Sequence, residues 1–220
     1  MQLTVFNGSP RGKKSNTKIL MDHFIRGMNQ DQENEVEIAY LIHTKDAARN
    51  AELFSRSENV IIAFPLYTDC MPGIVKHFFE ALSPYCGGKN NPSLGFIVQS
   101  GFSEPIHSRF VEKYLVKLTR RLECEYSGTV VKGGVEGIQI MPPWMTKKLF
   151  ETFFQLGVHY AGNNVFDPEL LDRLAPRDRM SFAKTQLLRL MGKTGLSNFY
   201  WNSQLKNNGV YDQRFDRPFQ

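Results

Sequence analysis

The amino-acid sequence predicts a doubly wound α/β fold, in which helices cover both faces of a five-stranded parallel sheet. Short apolar runs typical of strands alternate along the chain with longer segments whose apolar residues recur at helical spacing. The third short run, residues 59–64, is apolar over nearly its whole length, as expected for a central parallel strand buried on both faces. With 220 residues, the chain suits a single domain with an elaboration.

The first half of the predicted fold repeats a strand–helix pattern. Residues 3–6 predict the first strand, and residues 15–29 predict a helix because apolar side chains recur there every three to four positions. Residues 36–41 predict the second strand. Residues 45–57 carry alanine, leucine and phenylalanine on one side and predict the second helix, which leads into the strand at 59–64.

The pattern continues after the third strand. A helix is predicted to start at Pro72, because the N–H that proline lacks would have no partner in a first helical turn. Residues 94–99 predict the fourth strand and residues 104–122 a long amphipathic helix. Residues 127–131 predict the fifth strand, which ends at a pair of glycines.

The chain continues well beyond a minimal five-stranded domain. Within the single domain we assign a core of about residues 1–143 and a helical carboxy-terminal extension of about residues 144–220. The extension is predicted to hold one helix over residues 144–160 and another over about 168–191, which a proline interrupts. Residues 199–219 are aromatic and charged and have no clear period.

The composition is that of an ordinary soluble globular protein, with 41% hydrophobic and 22% charged residues. No secretory signal is predicted, because the first strand runs straight into a glycine loop instead of a cleavage site. No apolar run approaches the roughly 20 residues that a membrane-spanning helix needs. We therefore expect a cytoplasmic protein that has no membrane partner.

Charged residues and possible metal ligands are scattered along the chain. The net charge of +5 could attract nucleic acid, but the positive residues form no single basic block, and no recognition motif accompanies them. No nucleic-acid partner is therefore expected. Three cysteines without a C-x-x-C spacing and five scattered histidines predict neither a disulfide framework nor a protein-bound metal ion.

The loop between the first predicted strand and the first helix is rich in hydroxyl and amide side chains. A phosphate monoester carries about two negative charges and three acceptor oxygens at neutral pH. Hydroxyl groups, backbone N–H groups and a helix amino terminus bind such an anion. The candidate phosphate ligands are Ser9, Arg11, Ser15, Asn16 and Thr17. Helix capping alone would explain Ser15 but not the rest of this series, so phosphate binding is the favoured interpretation.

Two other nucleotide-binding loops do not match this segment. A Walker A loop has four residues between its first glycine and Gly-Lys, and a serine or threonine follows the lysine. Here Gly8 and Gly12 enclose three residues, and Lys13 is followed by Lys14. The dinucleotide fingerprint G-x-G-x-x-G is also absent after the first strand.

On these residues the sequence resembles the NADPH-dependent FMN reductases, a family of the flavodoxin-like superfamily. The loop NGSPRGKKSNT is similar to that family's phosphate loop, roughly G-S-x-R-x-x-S-x-T or G-S-P-R-x-x-S-N-T. It is one residue longer between Arg11 and Ser15 than in some members. The resemblance implies a flavodoxin-like sheet of strand order 2-1-3-4-5, with the FMN phosphate held by the candidate ligands. In that order, the loops after the first and third strands meet at the switch point.

The loop after the third strand extends the resemblance. Its sequence, PLYTDCMPGIVKHFFE from residue 65 to 80, is similar to the family pattern P-x-Y-x-x-x-x-P-x-x-L-K-x-F-x-D. In the family this loop lies along the isoalloxazine ring. The implied ring contacts are Pro65, Leu66, Tyr67, Thr68 and Met71. Lys76, Phe78 and Glu80 are interpreted as helix-packing residues, and Cys70 as a small buried hydrophobic residue without a redox role.

A third loop, residues 99–104, follows the fourth predicted strand. In the superfamily this position brackets the other side of the flavin, which makes Ser100 and Gly101 candidate contacts. Phe102 either covers the ring or closes the loop. The alternative is an ordinary turn.

The resemblance implies an oxidoreductase that takes hydride from NADPH or NADH onto FMN. The electrons then pass to a small-molecule acceptor, such as a quinone, a nitro- or azo-aromatic compound, free flavin or a metal ion. Because the flavin performs the chemistry, no catalytic side chain is named. The alternative is a flavodoxin-type electron carrier that a partner protein reduces. The family also implies a symmetric homodimer, in which the aromatic extension contributes contacts and the partner chain helps to wall the flavin site.

Overall fold

Five parallel strands form one sheet in the computed structural model, which describes residues 1–88, 91–176, 178–194 and 198–217. The strands are β1 (Gln2–Asn7), β2 (Glu35–Tyr40), β3 (Asn59–Pro65), β4 (Ser93–Gln99) and β5 (Glu125–Lys132). Their order across the sheet is β2-β1-β3-β4-β5. The predicted fold class and strand order are confirmed, and each strand lies within two residues of its predicted bounds.

Eight α-helices accompany the sheet in the described part of the chain. They are α1 (Asn16–Met28), α2 (Ala47–Arg56), α3 (Gly73–Ala81), α4 (Ile106–Arg121), α5 (Pro143–Asn163), α6 (Pro168–Leu174), α7 (Phe182–Lys193) and α8 (Phe199–Asn207). The helix predicted over residues 168–191 is two helices, because proline at position 176 cannot continue an α-helix. Residues 199–207 form α8 although no helical period predicted it. Residues 218 and 219 of that predicted irregular segment lie outside the described residues.

The sheet separates two apolar clusters, and β3 contributes to both. Ile62 and Phe64 pack in the cluster beneath α2, α3 and α4. Ile61 and Ala63 point to the other face and pack with α1, α5 and α6. Successive side chains of a strand point to opposite faces of the sheet. A continuous apolar run is therefore what a strand covered on both sides requires.

Helices α1 and α5 cross at two glycines. A Cβ on Gly27 would overlap the carbonyl oxygen of Phe154, and a Cβ on Gly157 would overlap the carbonyl oxygen of Phe24. The two backbones approach closely because neither glycine carries a side chain. Since Tyr160 of α5 is also fully buried, α5 is a structural part of the layer that covers the sheet.

The chain divides into two compact units, Met1–Asp178 and Arg179–Gln220. The first contains all five strands and helices α1 to α6. In the second, the guanidinium of Arg214 lies 4.1 Å from the ring centre of Tyr211 and 4.8 Å from that of Phe215. None of the helices in the described residues is long and apolar enough to cross a membrane.

Candidate functional site

The three predicted loops converge on one cleft at the carboxyl edge of the sheet. This edge includes the switch point, where the chain leaves the adjacent strands β1 and β3 toward opposite faces of the sheet. Eight of the predicted site residues line the cleft, together with two that were not predicted. The lining residues are Ser9, Arg11, Asn16, Pro65, Leu66, Tyr67, Ser100 and Gly101, with Gln99 and Glu136 in addition.

The first loop is held close to β3 by backbone contacts. The N–H of Gly8 donates to the carbonyl oxygen of Ala63 over 2.7 Å, and a Cβ on Gly8 would overlap the side chain of Val75. Further along, Gly12 has a φ of +52°, a left-handed conformation that a glycine adopts without strain. These two glycines turn the chain from the end of β1 to the start of α1.

Ser9 and Arg11 are the two predicted phosphate ligands whose side chains meet the cleft most directly. The Ser9 hydroxyl accepts a hydrogen bond from the backbone N–H of Arg11 over 3.3 Å, so its own hydrogen remains available as a donor. The Arg11 guanidinium lies 3.8 Å from the Glu136 carboxylate, and about half of the Arg11 side chain is exposed. At the amino end of α1, the first N–H groups have no partner within the helix, which adds anion donors nearby.

Ser15 and Thr17 do not line the cleft, and both make contacts within the protein. Ser15 is the N-cap of α1. Its hydroxyl accepts from the N–H of Lys18 over 3.1 Å and donates to the carbonyl oxygen of Gly12 over 2.7 Å. The Thr17 hydroxyl is buried and accepts from the Gln99 side chain over 3.3 Å. Through these hydrogen bonds both side chains stabilise the loop where it joins α1.

Asn16 lines the cleft, but its side-chain amide forms hydrogen bonds with a fourth loop, which follows β5. Its Nδ2 donates to the carbonyl oxygens of Val135 and Glu136 over 2.8 and 3.1 Å. Its Oδ1 accepts from the Gln139 side chain over 2.7 Å. Asn16 therefore ties the start of α1 to the segment that carries Glu136 into the cleft.

The second loop begins with a tight two-residue hairpin. Tyr67 and Cys70 exchange both backbone hydrogen bonds, of 2.8 and 3.1 Å. Thr68 and Asp69 at the tip have φ values of 50° and 58°, which is unusual for residues other than glycine and strained for a β-branched threonine. Non-glycine residues in such conformations cluster at functional sites. Thr68 and Asp69 are exposed and are not among the residues that line the cleft.

The remaining residues of the second loop divide between core and surface. Pro65 and Leu66 are buried, and Met71 lies outside the cleft, where its side chain packs in the α2–α4 cluster. Tyr67 is exposed at the cleft. Cys70 is exposed as well, so its interpretation as a buried hydrophobic residue is wrong, because the hairpin turns its side chain out of the core.

The third loop is fixed to the segment that follows β5. The N–H of Ser100 donates to the carbonyl oxygen of Lys132 over 2.9 Å, and the N–H of Val135 donates to the carbonyl oxygen of Ser100 over 3.0 Å. Gly101 is exposed, and a Cβ there would lie 3.4 Å from the Cβ of Glu136, an ordinary van der Waals distance.

His107, at the start of α4, connects the third loop with the second. The Phe102 ring stacks on the His107 imidazole with ring centres 4.3 Å apart. His107 Nδ1 also lies 3.2 Å from Asp69 Oδ1 on the strained hairpin. One side chain thus contacts the loops on both sides of the cleft mouth.

Gln99 and Glu136 were not predicted as site residues. Gln99 is the polar residue that ends the apolar strand β4, a position from which it could have been identified as a cleft residue. Glu136 follows the two glycines after the edge strand β5, and only the path of this loop back to Asn16 brings it into the cleft. Among the described residues, no three histidine, cysteine or acidic side chains are grouped to hold a metal ion.

The arrangement suits a planar, hydrogen-bonding ligand with a phosphate tail. Ser9, Arg11 and the amino end of α1 offer donors for the phosphate at one end of the cleft. Tyr67 lines the cleft with an exposed aromatic ring, and Phe102 is exposed in the third loop.

Comparison with known proteins agrees with this architecture. Residues 1–85 match a protein family described as having a flavodoxin-like fold, a segment that includes β1 to β3 and the first two loops. No curated protein sequence matches the chain.

Several solved structures share the fold. An FMN-dependent NADH-azoreductase from Bacillus anthracis, in complex with FMN, has a TM-score of 0.56, 12% identity, and coverage of 74% of this chain and 99% of that chain. An NADPH-quinone reductase from P. pentosaceus has a TM-score of 0.55 at 15% identity, with coverage of 74% and 99%. An NAD(P)H:quinone oxidoreductase from Methanothermobacter marburgensis has a TM-score of 0.56 at 13% identity, with coverage of 74% and 96%. At these identities the similarity establishes a flavodoxin-like fold.

Proposed function

We propose that this protein is an FMN-dependent oxidoreductase, of the NADPH-dependent FMN reductase family, that takes hydride from NADPH or NADH and reduces a small acceptor. One observation carries the proposal: the loops after β1, β3 and β4 meet in a single cleft at the β1/β3 switch point. The acceptor classes are quinones, nitro- or azo-aromatic compounds, free flavins and metal ions. The solved structures with this fold that are named as azo- and quinone reductases support the same assignment.

The residues present fit FMN. Ser9, Arg11 and the first N–H groups of α1 would hold the phosphate, whose two negative charges match a guanidinium and a helix amino end. The backbone of residues 65–71 would lie along the polar edge of the isoalloxazine ring. Gly101 lines the cleft beside Ser100 and adds no side chain to it.

When bound, FMN supplies the hydride and electron-transfer chemistry itself, so the protein contributes binding, orientation and electrostatics. The Asp69–His107–Phe102 contacts would keep the two loops at the cleft mouth in register with each other. In the family pattern Ser15, Asn16, Thr17, Thr68 and Met71 also belong to the site. Here Ser15, Asn16 and Thr17 would act by shaping the loop, and Thr68 through its backbone.

The absorbance spectrum of the purified protein tests the proposal. We expect visible flavin bands that bleach when NADPH or NADH is added without oxygen, and that return when a quinone is added. Steady-state rates should give the parallel lines of a ping-pong scheme. A flavin that stays oxidised with both nicotinamides, yet is reduced by a reductase protein, would indicate a flavodoxin-type electron carrier instead.

We also propose a symmetric homodimer whose partner chain helps to wall the flavin site. Large exposed apolar side chains support an association surface: Trp144 is 77% exposed and Phe110 is 71% exposed. Two-fold homodimers are the commonest oligomers. Light scattering on the FMN-loaded protein tests this, and a monomer that retains FMN would contradict it.

The proposed place of action is the cytoplasm. The described structure has three free cysteines, which a reducing compartment would keep as thiols. Fractionation of producing cells, followed with an antibody against the chain, checks the location.

A further inference from the structure

Glu136 supplies a carboxylate to the cleft, and its backbone is fixed from two sides. The Asn16 amide donates to the carbonyl oxygens of Val135 and Glu136. The N–H of Val135 donates to the carbonyl oxygen of Ser100. Because α1 and the third loop both hold this stretch, the Glu136 side chain enters the cleft from a defined position.

The Glu136 side chain runs past Gly101 toward Arg11. A Cβ on Gly101 would lie 3.4 Å from Glu136 Cβ and 3.8 Å from Oε2. Oε1 lies 3.8 Å from Arg11 Nη1, and the two side chains are 42% and 49% exposed. This distance exceeds that of a charge-assisted hydrogen bond, so the pair is a loose ion pair that water can reach.

We propose that Glu136 competes with phosphate for Arg11 and thereby sets how strongly the site prefers FMN to riboflavin. The inference rests on the proposed function, because it assigns the Ser9–Arg11 end of the cleft to the flavin phosphate. A phosphate drawn to Arg11 must displace the carboxylate or share the guanidinium with it. Displacement costs the Arg11–Glu136 ion pair, and sharing places two negative groups within a few ångströms of each other, so both cases weaken phosphate binding.

The competition acts on the charged tail of the ligand alone. Riboflavin carries no phosphate, so Glu136 does not oppose its binding through charge. The ratio of FMN affinity to riboflavin affinity is therefore smaller than it would be if no carboxylate lay beside Arg11.

The test compares Glu136→Gln with the natural protein in titrations with FMN, riboflavin and inorganic phosphate. The substitution removes the charge and keeps the shape of the side chain. We expect FMN affinity to rise about 3- to 30-fold, a range suited to a half-exposed charge contact. Riboflavin affinity should change less than about twofold. Inorganic phosphate should bind the variant more tightly, and 0.5 M salt should reduce the difference because it screens the charges.

Two further variants control the experiment. Glu52→Gln removes the same charge from the exposed face of α2, which lies on the face of the sheet opposite α1. This variant should leave the affinities for FMN, riboflavin and inorganic phosphate unchanged. In the Arg11→Ala background, Glu136→Gln should gain less FMN affinity than in the natural protein, because the contested guanidinium is gone. An equal gain in both backgrounds would overturn competition for Arg11.

The remaining outcomes separate this inference from the proposed function. If FMN binds and Glu136→Gln leaves FMN and phosphate affinity unchanged, the inference is overturned and the flavin site stands. If FMN and riboflavin affinity rise equally, charge competition is overturned. If FMN binds neither protein but phosphate binding rises in Glu136→Gln, the competition stands and the proposed flavin function falls. If neither ligand binds either protein, both are overturned.

Discussion

Arg11 is the one positively charged side chain among the described residues that line the cleft, and we propose that it binds the flavin phosphate. We expect Arg11→Ala to weaken FMN binding about 10-fold, because a hydrogen bond to a charged group contributes about 1.5–3 kcal/mol and this one is half exposed and contested by Glu136. Riboflavin binding should be nearly unchanged. Quenching of flavin fluorescence measures both. Lys14→Ala removes the same charge from an exposed position in the same loop and should cost less than about twofold. Equal losses would mean that only the net charge matters.

Ser15 has a structural task that can be separated from ligand binding. Its hydroxyl caps α1 and bonds to Gly12, so we expect Ser15→Ala to lower the free energy of unfolding by about 1 kcal/mol, the usual cost of a lost N-cap. Urea unfolding measures the change. The matched control is Ser55→Ala, whose hydroxyl donates to the Glu52 carbonyl on an exposed helix face and should contribute little. If Ser15→Ala leaves the free energy of unfolding unchanged, the capping role of Ser15 is contradicted.

Cys124 should be inert toward alkylation. Burial raises the pKa of its thiol to about 12, with a smaller contribution from nearby Cys86. The thiolate is the reactive form, so at pH 8.5 nearly all Cys124 thiols carry their proton and do not react. We expect iodoacetamide to label the exposed Cys70 and Cys86 well before Cys124, as peptide mass spectrometry can follow. In urea all three should react. Native labelling of Cys124 at the rate of Cys86 would show that the thiol is not buried in solution.

At the level of elements, the α1–α5 crossing should tolerate no side chain larger than hydrogen at Gly27 or Gly157. We expect Gly27→Ala and Gly157→Ala each to destabilise the protein by several kcal/mol, because the new Cβ would overlap backbone of the facing helix, which cannot move aside. Gly162→Ala, also in α5, meets nothing within 4 Å and should instead stabilise by about 0.5–1 kcal/mol through helix propensity. Thermal unfolding of the three variants gives the comparison. A mild effect at Gly157 would mean that the helices can separate.

The strands and the two main loops could be predicted because their signals are local. An apolar run such as residues 60–64 reports burial on both faces, and a glycine loop after a strand reports a turn toward a helix. Helix α8 could not be predicted, since its residues show no apolar period. The partners of Asn16 could not either, because the bond joins residues 119 positions apart and depends on the path of the loop after β5. For the same reason Glu136 was absent from the predicted site.

At the scale of the whole molecule, the division after Asp178 predicts that residues 1–178 fold alone. They contain all five strands and both apolar clusters, and Asp178 closes an ion pair with Arg109 over 2.7 Å. The removed unit exposes Phe182, Phe199 and Trp201. We therefore expect the shortened chain to unfold cooperatively but to dimerise less and to retain FMN more weakly than the full chain. Circular dichroism and light scattering test the two parts. A shortened chain that remains a dimer would show that the second unit is dispensable for association.

The bond between Asn16 and Val135 also fixes when the cleft can form during protein synthesis. Its two partners are 119 residues apart, so at about 5–20 residues per second the ribosome adds the second one roughly 6 to 24 s after the first. Until β5 has paired, the loop after β1 lacks the segment that Asn16 holds. We expect nascent chains that stop before β5 to capture no flavin. The cofactor would join a nearly finished sheet and would have no part in guiding the first strands together.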